Sequence, residues 1–269
     1  MANAYFQPLD ESQAGGRYRA DPATGGPWDP ALQHGGPPAA LLVYAAERLA
    51  AEAADRADLL AVRVSVEFVG PVPVAELEIA AAVVRAARSG VLVRARLAAA
   101  GRDCLHARVW LVRDADTSAI AQSPPSPPEV TIPADLPGLG ASFPYADSIE
   151  WRALSGGIDV PGPGVVWARP RLPLLEGREL SGLQRAALVG DSASGISSEL
   201  DWSAWSFLNV DLDVHLARPL HGEWLCLDAR TQLGPHGSAL ARATLSDVRG
   251  PFGCTAQTLV LAPRRPAAT

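Results

Sequence analysis

The 269-residue sequence predicts an α+β protein built from two tandem copies of one unit, in which a helix packs against a curved antiparallel sheet. Three observations support this prediction. The blocks Ala61–Arg113 and Ser206–Pro263 share the same order of predicted strands, each block follows a helical pattern, and each helical pattern follows a short hairpin pattern. A repeat of this size indicates two copies of one supersecondary unit packed together. We expect their exposed strands to pair, which joins the two sheets into one extended sheet.

The predicted strands occur in the same order in both blocks. The first strand of each block runs into a proline, in Arg63–Pro71 and in Asp211–Pro219. Glycine turns then separate further stretches that are rich in valine, leucine and alanine, as in antiparallel strands joined by hairpins. The later strands are predicted at Glu76–Arg88, Leu92–Ala100 and Leu105–Val112 in the first block, and at Glu223–Gln232, Ser238–Ser246 and Cys254–Leu261 in the second.

A predicted helix precedes each block of strands. Apolar residues recur at helical spacing in Ala39–Ala57, and Pro37-Pro38 marks a helix start because a proline in the first turn needs no amide hydrogen. Glu179–Leu200 has a matching pattern, although internal glycines weaken its far end. Hairpin-like segments stand before both helices, at Tyr5–Leu9 with Arg17–Ala20 and at Ile149–Leu154 with Val165–Arg169.

The repeat divides the chain into three predicted parts. Residues 1–113 form the first unit, residues 114–148 form a linker rich in proline and serine, and residues 149–269 form the second unit. The linker has little apolar periodicity, which is typical of a segment that connects two packed units. Any polar group present in only one unit is therefore a candidate for chemistry.

Composition narrows the classes of function. The formal net charge is -6 and there is no long run of lysine or arginine, so we expect no nucleic-acid partner. The first residues lack the basic start and apolar core of a signal peptide, and no stretch is apolar enough for a membrane span, so we expect a cytoplasmic protein. Cys104, Cys226 and Cys254 are widely spaced, which predicts buried thiols rather than a metal site.

The two blocks differ at three positions where the second unit carries polar side chains. A carboxylate, a hydroxyl and an amide stand where the first unit has a cation and two apolar groups. Such groups can hold one water, with the carboxylate taking its proton and the others fixing its direction of attack. Alternatively, each is an ordinary polar residue of a strand face. The positions are Asp211 against Arg63, Thr231 against Val83 and Gln257 against Trp110.

Short motifs of the second unit resemble the acyl-CoA thioesterase II family. They are Asn209-Val210-Asp211, Arg218-Pro219, Glu223-Trp224-Leu225, Thr231 and Thr255-Ala256-Gln257. The resemblance implies a double hotdog: two tandem hotdog units, each with a central helix wrapped by a curved antiparallel sheet. It also implies a lipid-metabolism enzyme that hydrolyses acyl-CoA to free acid and CoA, with Asp211 activating the water and Thr231 and Gln257 positioning it. Apolar residues replace the family's aromatic residues beside Asp211, so the chain looks closer to the broader thioesterase-like superfamily.

The helix start of the first unit is a candidate site for the oxyanion. Free amide hydrogens at a helix N-terminus, with the positive end of the helix dipole, suit a negatively charged carbonyl oxygen. Gly35 and Gly36 also let a ligand approach the backbone closely. The glycines have a purely conformational interpretation as well, as the turn into the helix. His34 either assists in substrate binding or serves as a cap.

Three alternatives stay open. Asp191 is a rival carboxylate that either lines the cavity or caps a glycine-rich helix end. A hotdog enoyl-CoA hydratase would need an aspartate–histidine pair, and neither His34 nor His106 has an evident aspartate partner in the sequence. A non-catalytic acyl-binding protein would keep the cavity without the chemistry. The predicted hydrolase needs no metal and no cofactor beyond the CoA of the substrate. Further pairing of the sheets between chains would give a homo-oligomer.

Overall fold

The computed structural model describes residues 2–12, 14–54, 58–122, 132, 135–140 and 142–264, so residues 123–131, 133, 134 and 141 of the predicted linker lie outside the described residues. The strands of the first unit are β1 Phe6–Ser12, β2 Gly15–Ala20, β3 Leu59–Phe68, β4 Glu76–Ala87, β5 Gly90–Ala99 and β6 Arg102–Arg113. The strands of the second unit are β7 Ile149–Gly157, β8 Val160–Pro170, β9 Trp205–Asn209, β10 Asp211–Leu216, β11 Leu225–Leu233, β12 Ser238–Asp247 and β13 Gly250–Pro263.

These strands form one antiparallel sheet. Across the described residues its order is β1-β2-β4-β5-β6-β3-β10-β13-β12-β11-β8-β7, with β9 paired to β13. The second unit repeats the order of the first in reverse, so an approximate twofold axis passes between β3 and β10. The units join there, with Val64 opposite Val214 and Glu67 opposite Asp211. The predicted α+β class and the single extended sheet are confirmed. The short strand β9 was not predicted as a separate element.

Helices cover one face of the sheet. The first unit contributes α1 Gly36–Ala54, and the second contributes α2 Pro144–Asp147, α3 Gly182–Gly190 and α4 Ala193–Ile196. The continuous helix predicted over Glu179–Leu200 is wrong, because the helix breaks between α3 and α4 at Asp191-Ser192. The glycines and serines on both sides of the break have low helix propensity. Ser181 caps α3, and its side-chain oxygen accepts a hydrogen bond from the Gln184 amide at 3.1 Å.

Alternating side chains give the sheet an inner face under the helices and an outer face toward solvent. On β10, Leu212 and Val214 are fully buried on the inner face, whereas Asp211 and His215 belong to the outer face. The core lies between the inner face and the helices. This alternation decides which of the predicted site residues can meet.

Two of the three cysteines agree with the prediction of buried thiols. Cys104 and Cys226 are buried, but Cys254 is exposed, so the prediction is wrong for Cys254. Its neighbour Thr255 takes the inner face of β13, which turns the Cys254 thiol outward. Within the described ranges, no helix combines the length and the apolar character that a membrane crossing requires.

Candidate active site

A cavity of about 470 Å³ lies beneath the inner face of the sheet and is lined by both units. Most of its wall is apolar, and a few polar side chains converge on it, as in sites for small organic ligands. The aromatic wall residues are Trp28, Phe68, Phe143, Tyr145, Trp151, Trp202 and Phe207. The polar ones include His34, Asp191, Ser192, Ser194 and Asn209.

Asp191 is the buried carboxylate of this cavity. It stands at the break between α3 and α4 and is only 4% exposed. Its Oδ1 accepts hydrogen bonds from Asn209 Nδ2 at 2.6 Å and from Gln257 Nε2 at 3.0 Å. Its Oδ2 lies 2.9 Å from His34 Nδ1. Two amide donors and the imidazole of His34 therefore surround one carboxylate, and the donors stabilise its charge in an apolar setting.

Gln257 contacts this carboxylate from the inner face of the sheet. It lies on the inner face of β13 and is fully buried. Its Nε2 also donates to the Asp191 backbone oxygen at 3.0 Å, and its Oε1 accepts from the Ser194 amide at 3.2 Å. Both ends of the amide are thus bonded to the chain around the helix break.

His34 approaches Asp191 from the first unit. Its ring stacks on Tyr145, with centroids 3.8 Å apart and planes inclined by 6°. The Tyr145 hydroxyl donates to the Leu188 carbonyl oxygen at 2.7 Å and lies 2.9 Å from Ser192 Oγ. Burial raises the pKa of Tyr145 well above its ordinary value, so the phenol stays neutral and remains a donor. The imidazole is therefore fixed in both plane and position.

Gly35 and Gly36 bring the start of α1 against the end of α3. A Cβ added to Gly36 would overlap the Leu188 carbonyl oxygen, and one added to Gly35 would come within 2.8 Å of Asp191 Oδ2. Both positions therefore require glycine for close approach. Gly35 also lines the cavity. No acceptor for its amide occurs in the described part of the chain, so this amide is available to a ligand.

Asp211 does not join this cluster, although the sequence predicted it as the base. Its Oδ1 accepts from the Thr258 amide at 2.5 Å and its Oδ2 from the Thr258 hydroxyl at 3.2 Å, on the outer face of the sheet. The cause is a one-residue shift in pairing with β13, since Asn209 pairs with Leu259 but Asp213 pairs with Ala256. Such a shift turns the following side chains to the opposite face.

Thr231 lies on the inner face but away from Asp191. It occupies the same row as Gln257, with Ala241 of β12 between them, so the two backbones are about 10 Å apart. Its Oγ1 is 2.8 Å from Ser197 Oγ, at the end of α4. Of the three predicted catalytic residues, only Gln257 meets the cluster; Gly35, Gly36 and His34 all lie beside it.

Sequence reasoning missed Asn209 and left Asp191 as a rival. Asn209 ends β9, lines the cavity and bonds Asp191. It stands two residues before Asp211 in the same motif, but its side chain lies on the cavity side of the sheet. The available signal was the apolar alternation of Leu212 and Val214, which assigns Asp211 to the outer face.

The expectation that neither histidine has an aspartate partner is also wrong. His34 lies beside Asp191, and His106 Nε2 is 2.8 Å from Asp103 Oδ2 on the outer face. The first pair joins residues far apart in sequence, which spacing alone cannot reveal. In the described ranges, no group of three His, Cys, Asp or Glu side chains is placed to hold a metal ion.

Comparison with known proteins agrees with this architecture. A sequence model of an acyl-CoA thioesterase N-terminal domain matches residues 24–112, and one of an acyl-CoA thioesterase C-terminal domain matches residues 124–261. The chain belongs to the acyl-CoA thioesterase family. No curated protein sequence matches it significantly.

Solved structures place this thioesterase-family chain in the double-hotdog fold. A protein from Novosphingobium aromaticivorans with a provisional thioesterase assignment is 24% identical, with a TM-score of 0.66 over 96% of this chain and 99% of that one. A hotdog protein of unknown function from Alicyclobacillus acidocaldarius is 17% identical, with a TM-score of 0.72 over 96% of both chains. An acyl-CoA thioesterase II from Mycobacterium marinum is 16% identical, with a TM-score of 0.67 over 94% and 93%. At these identities the likeness establishes the fold alone, and it confirms the predicted double hotdog.

Proposed function

We propose that the protein hydrolyses acyl-CoA thioesters in the cavity between its two units. One observation carries this proposal: the buried Asp191 carboxylate, held by amide donors, faces an apolar cavity beside the glycine start of α1. A base and an amide donor at one wall of an acyl-sized cavity are the groups that acyl transfer to water needs. Family membership supports the same chemistry.

The reaction adds water across the C–S bond of the thioester. The cluster around Asp191 removes a proton from a water, and the water oxygen attacks the carbonyl carbon. The carbonyl oxygen gains negative charge, which the Gly35 amide at the start of α1 stabilises together with the helix dipole. Collapse of the tetrahedral intermediate breaks the C–S bond, and the CoA sulfur takes up a proton. The products are a carboxylic acid and the free thiol of CoA.

The aromatic wall of the cavity suits the acyl group. Trp28 of the first unit stacks on Trp202 of the second, with centroids 5.1 Å apart, and Phe207 packs edge-on against both. Burying an apolar acyl group against these rings is favourable in proportion to the area removed from water. The phosphates of CoA are too polar for this cavity and lie outside it.

Replacing Asp191 tests the assignment, with Asp211 as a matched control. Asp191→Asn keeps the size of the side chain but removes the charge, and we expect turnover to fall about a hundredfold or more because the basic cluster depends on that charge. Asp211→Asn makes the same change on the outer face, and we expect turnover within about twofold of the unmodified protein. Release of thiol from acyl-CoAs of increasing chain length measures both. Loss of activity in Asp211→Asn with activity retained in Asp191→Asn would reverse the assignment.

A hydratase is the second candidate, because the His34–Asp191 pair supplies the aspartate–histidine partnership that enoyl-CoA hydration requires. The two reactions have different signals. Hydrolysis releases a thiol, whereas hydration lowers the absorbance of the conjugated enoyl thioester without releasing thiol. Enoyl-CoA hydration without thiol release from any acyl-CoA would replace the proposed function. A protein that binds acyl-CoA and gives neither signal would be a carrier.

A further inference from the structure

We propose that His34, held by Asp191, is the base that takes the proton from the attacking water, and that Asp191 acts through it. This inference rests on the proposed function and assigns the proton transfer within the same site. It makes His34 a catalytic residue, because its Nε2 meets the water. It makes Asp191 a positioning residue that selects the form of the imidazole.

The contact between His34 and Asp191 determines which ring nitrogen carries the proton. Nδ1 lies 2.9 Å from Asp191 Oδ2, and a hydrogen bond to a carboxylate is stronger than one between neutral groups. The Gly36 amide donates a long hydrogen bond of 3.3 Å to Nδ1, and a proton on Nδ1 would replace this bond. An unprotonated Nδ1 would be repelled by a carboxylate oxygen only 2.9 Å away, so we assign the proton to Nδ1, where it is attracted by Asp191. The neutral ring then keeps its lone pair on Nε2.

Nε2 is the free end of this pair. His34 lines the cavity, and its side chain is 13% exposed. Among the described residues Nε2 has no hydrogen-bond partner. This nitrogen is also accessible to solvent. The stacking on Tyr145 prevents the ring from turning away. The titratable groups that face the ring are Asp191 and Tyr145, and the Tyr145 hydroxyl is directed to Leu188 and Ser192 instead.

Asp191 itself is poorly placed to meet a water directly. Both of its oxygens are already occupied, because Oδ1 accepts hydrogen bonds from Asn209 and Gln257 and Oδ2 is in contact with His34 at 2.9 Å. Its side chain is only 3% exposed. A carboxylate enclosed in this way is suited to orienting an imidazole and to stabilising the imidazolium that forms.

The proton transfers balance through one residue. Nε2 takes a proton from the water as its oxygen bonds to the carbonyl carbon, and the resulting imidazolium is stabilised by Asp191. When the C–S bond breaks, the imidazolium returns its proton to the CoA sulfur. His34 is neutral again at the end of the cycle, and no further reactant is consumed.

His34→Asn separates the two roles of the histidine. The asparagine amide nitrogen occupies nearly the place of Nδ1 and can still donate to Asp191, but the side chain has no atom equivalent to Nε2. If His34 is the base, we expect kcat to fall about a hundredfold or more with KM changed less than about threefold. If His34 only orients Asp191, His34→Asn keeps most of the activity. Thiol release from the acyl-CoA that the unmodified protein hydrolyses fastest measures this.

A second variant provides a readout that a structural role would not affect. In His34→Ala, added imidazole can enter the vacated space beside Asp191, and we expect it to restore turnover in proportion to its unprotonated fraction. The loss of kcat toward low pH that a neutral base imposes should disappear in His34→Asn. Near-normal kcat in His34→Asn, or no response of His34→Ala to imidazole, would overturn the inference. No thiol release by the unmodified protein would instead overturn the proposed function.

Discussion

Asp191 and Asp211 show how the surroundings of a side chain, more than its chemical type, determine its role. Asp211 bonds a backbone amide and a hydroxyl of Thr258 on the solvent side of the sheet. Asp191 is enclosed among amide and imidazole donors on the cavity side. Only the second environment places a buried carboxylate beside an apolar cavity. The alternation of Leu212 and Val214 assigns Asp211 to the outer face, but the inward orientation of Asn209 depends on a register shift that only the pairing partners reveal.

At the same scale, mutations can distinguish the roles of Gln257 and Thr231. Gln257→Leu removes one hydrogen-bond donor from Asp191 and the acceptor of the Ser194 amide, which costs roughly 1–3 kcal/mol of stability. We expect turnover to fall by about tenfold or more, because Asp191 loses its support. Thr231→Val removes only the bond to Ser197 and should leave turnover within about threefold of normal. Thermal unfolding and thiol release measure both. A larger loss of turnover in Thr231→Val than in Gln257→Leu would show that Thr231 has the role first predicted for it.

At the scale of elements, the two principal helices depend on each other. Gly36 lets α1 approach the Leu188 carbonyl oxygen of α3, and Glu47 of α1 accepts hydrogen bonds from Ser181 and Gln184 at 2.7 and 2.5 Å. Helical periodicity predicted α1 well because its apolar pattern is long. The same periodicity predicted a second helix that is too long. The glycines and serines near Asp191 weaken that helix, and the hydrogen bonds of Gln257 to Asp191 and Ser194 determine where the chain leaves it.

The contact between these helices should make stability depend on pH. Burial raises the pKa of Glu47 above its usual value, although the hydrogen bonds from Ser181 and Gln184 oppose this. The folded state therefore binds the proton more tightly than the unfolded state. The stabilising contribution is complete below the ordinary pKa of glutamate and is lost as the pH rises through the raised value. Glu47→Gln should be more thermostable than the unmodified protein at pH 7, and the difference should shrink as the pH falls toward 4.

Glu199, which is exposed, supplies the control for this experiment. Glu199→Gln removes a charge of the same kind without the burial, so its melting temperature should follow that of the unmodified protein at every pH. In Glu47→Gln, rotation of the Gln184 amide lets its oxygen accept from the new side chain and keeps the contact intact. Equal pH dependence in Glu47→Gln and the unmodified protein would mean that Glu47 does not carry the effect.

At the scale of the whole molecule, the proposed active site needs residues from both units. His34 and Gly35 come from the first unit, whereas Asp191, Asn209 and Gln257 come from the second. The internal repeat made this architecture predictable, since two copies with a free strand each have a natural way to pair. The contact between His34 and Asp191 was not predictable, because it depends on how closely α1 and α3 approach each other and not on any local sequence pattern.

The shared sheet should make the two units unfold together. Val64 and Val214 are fully buried where β3 meets β10, and Trp28 of the first unit stacks directly on Trp202 of the second. Neither unit can unfold without exposing these residues, so tryptophan fluorescence and far-ultraviolet circular dichroism should report one coincident thermal transition.

Val214→Ala should lower the stability of the whole molecule by roughly 2 kcal/mol and keep the transition single. Val260→Ala, at a residue that is 50% exposed, should change it by less than about 0.5 kcal/mol. Two resolved transitions, in which Val214→Ala shifts only one, would show that the units are stable independently and that the site is assembled only after each has folded.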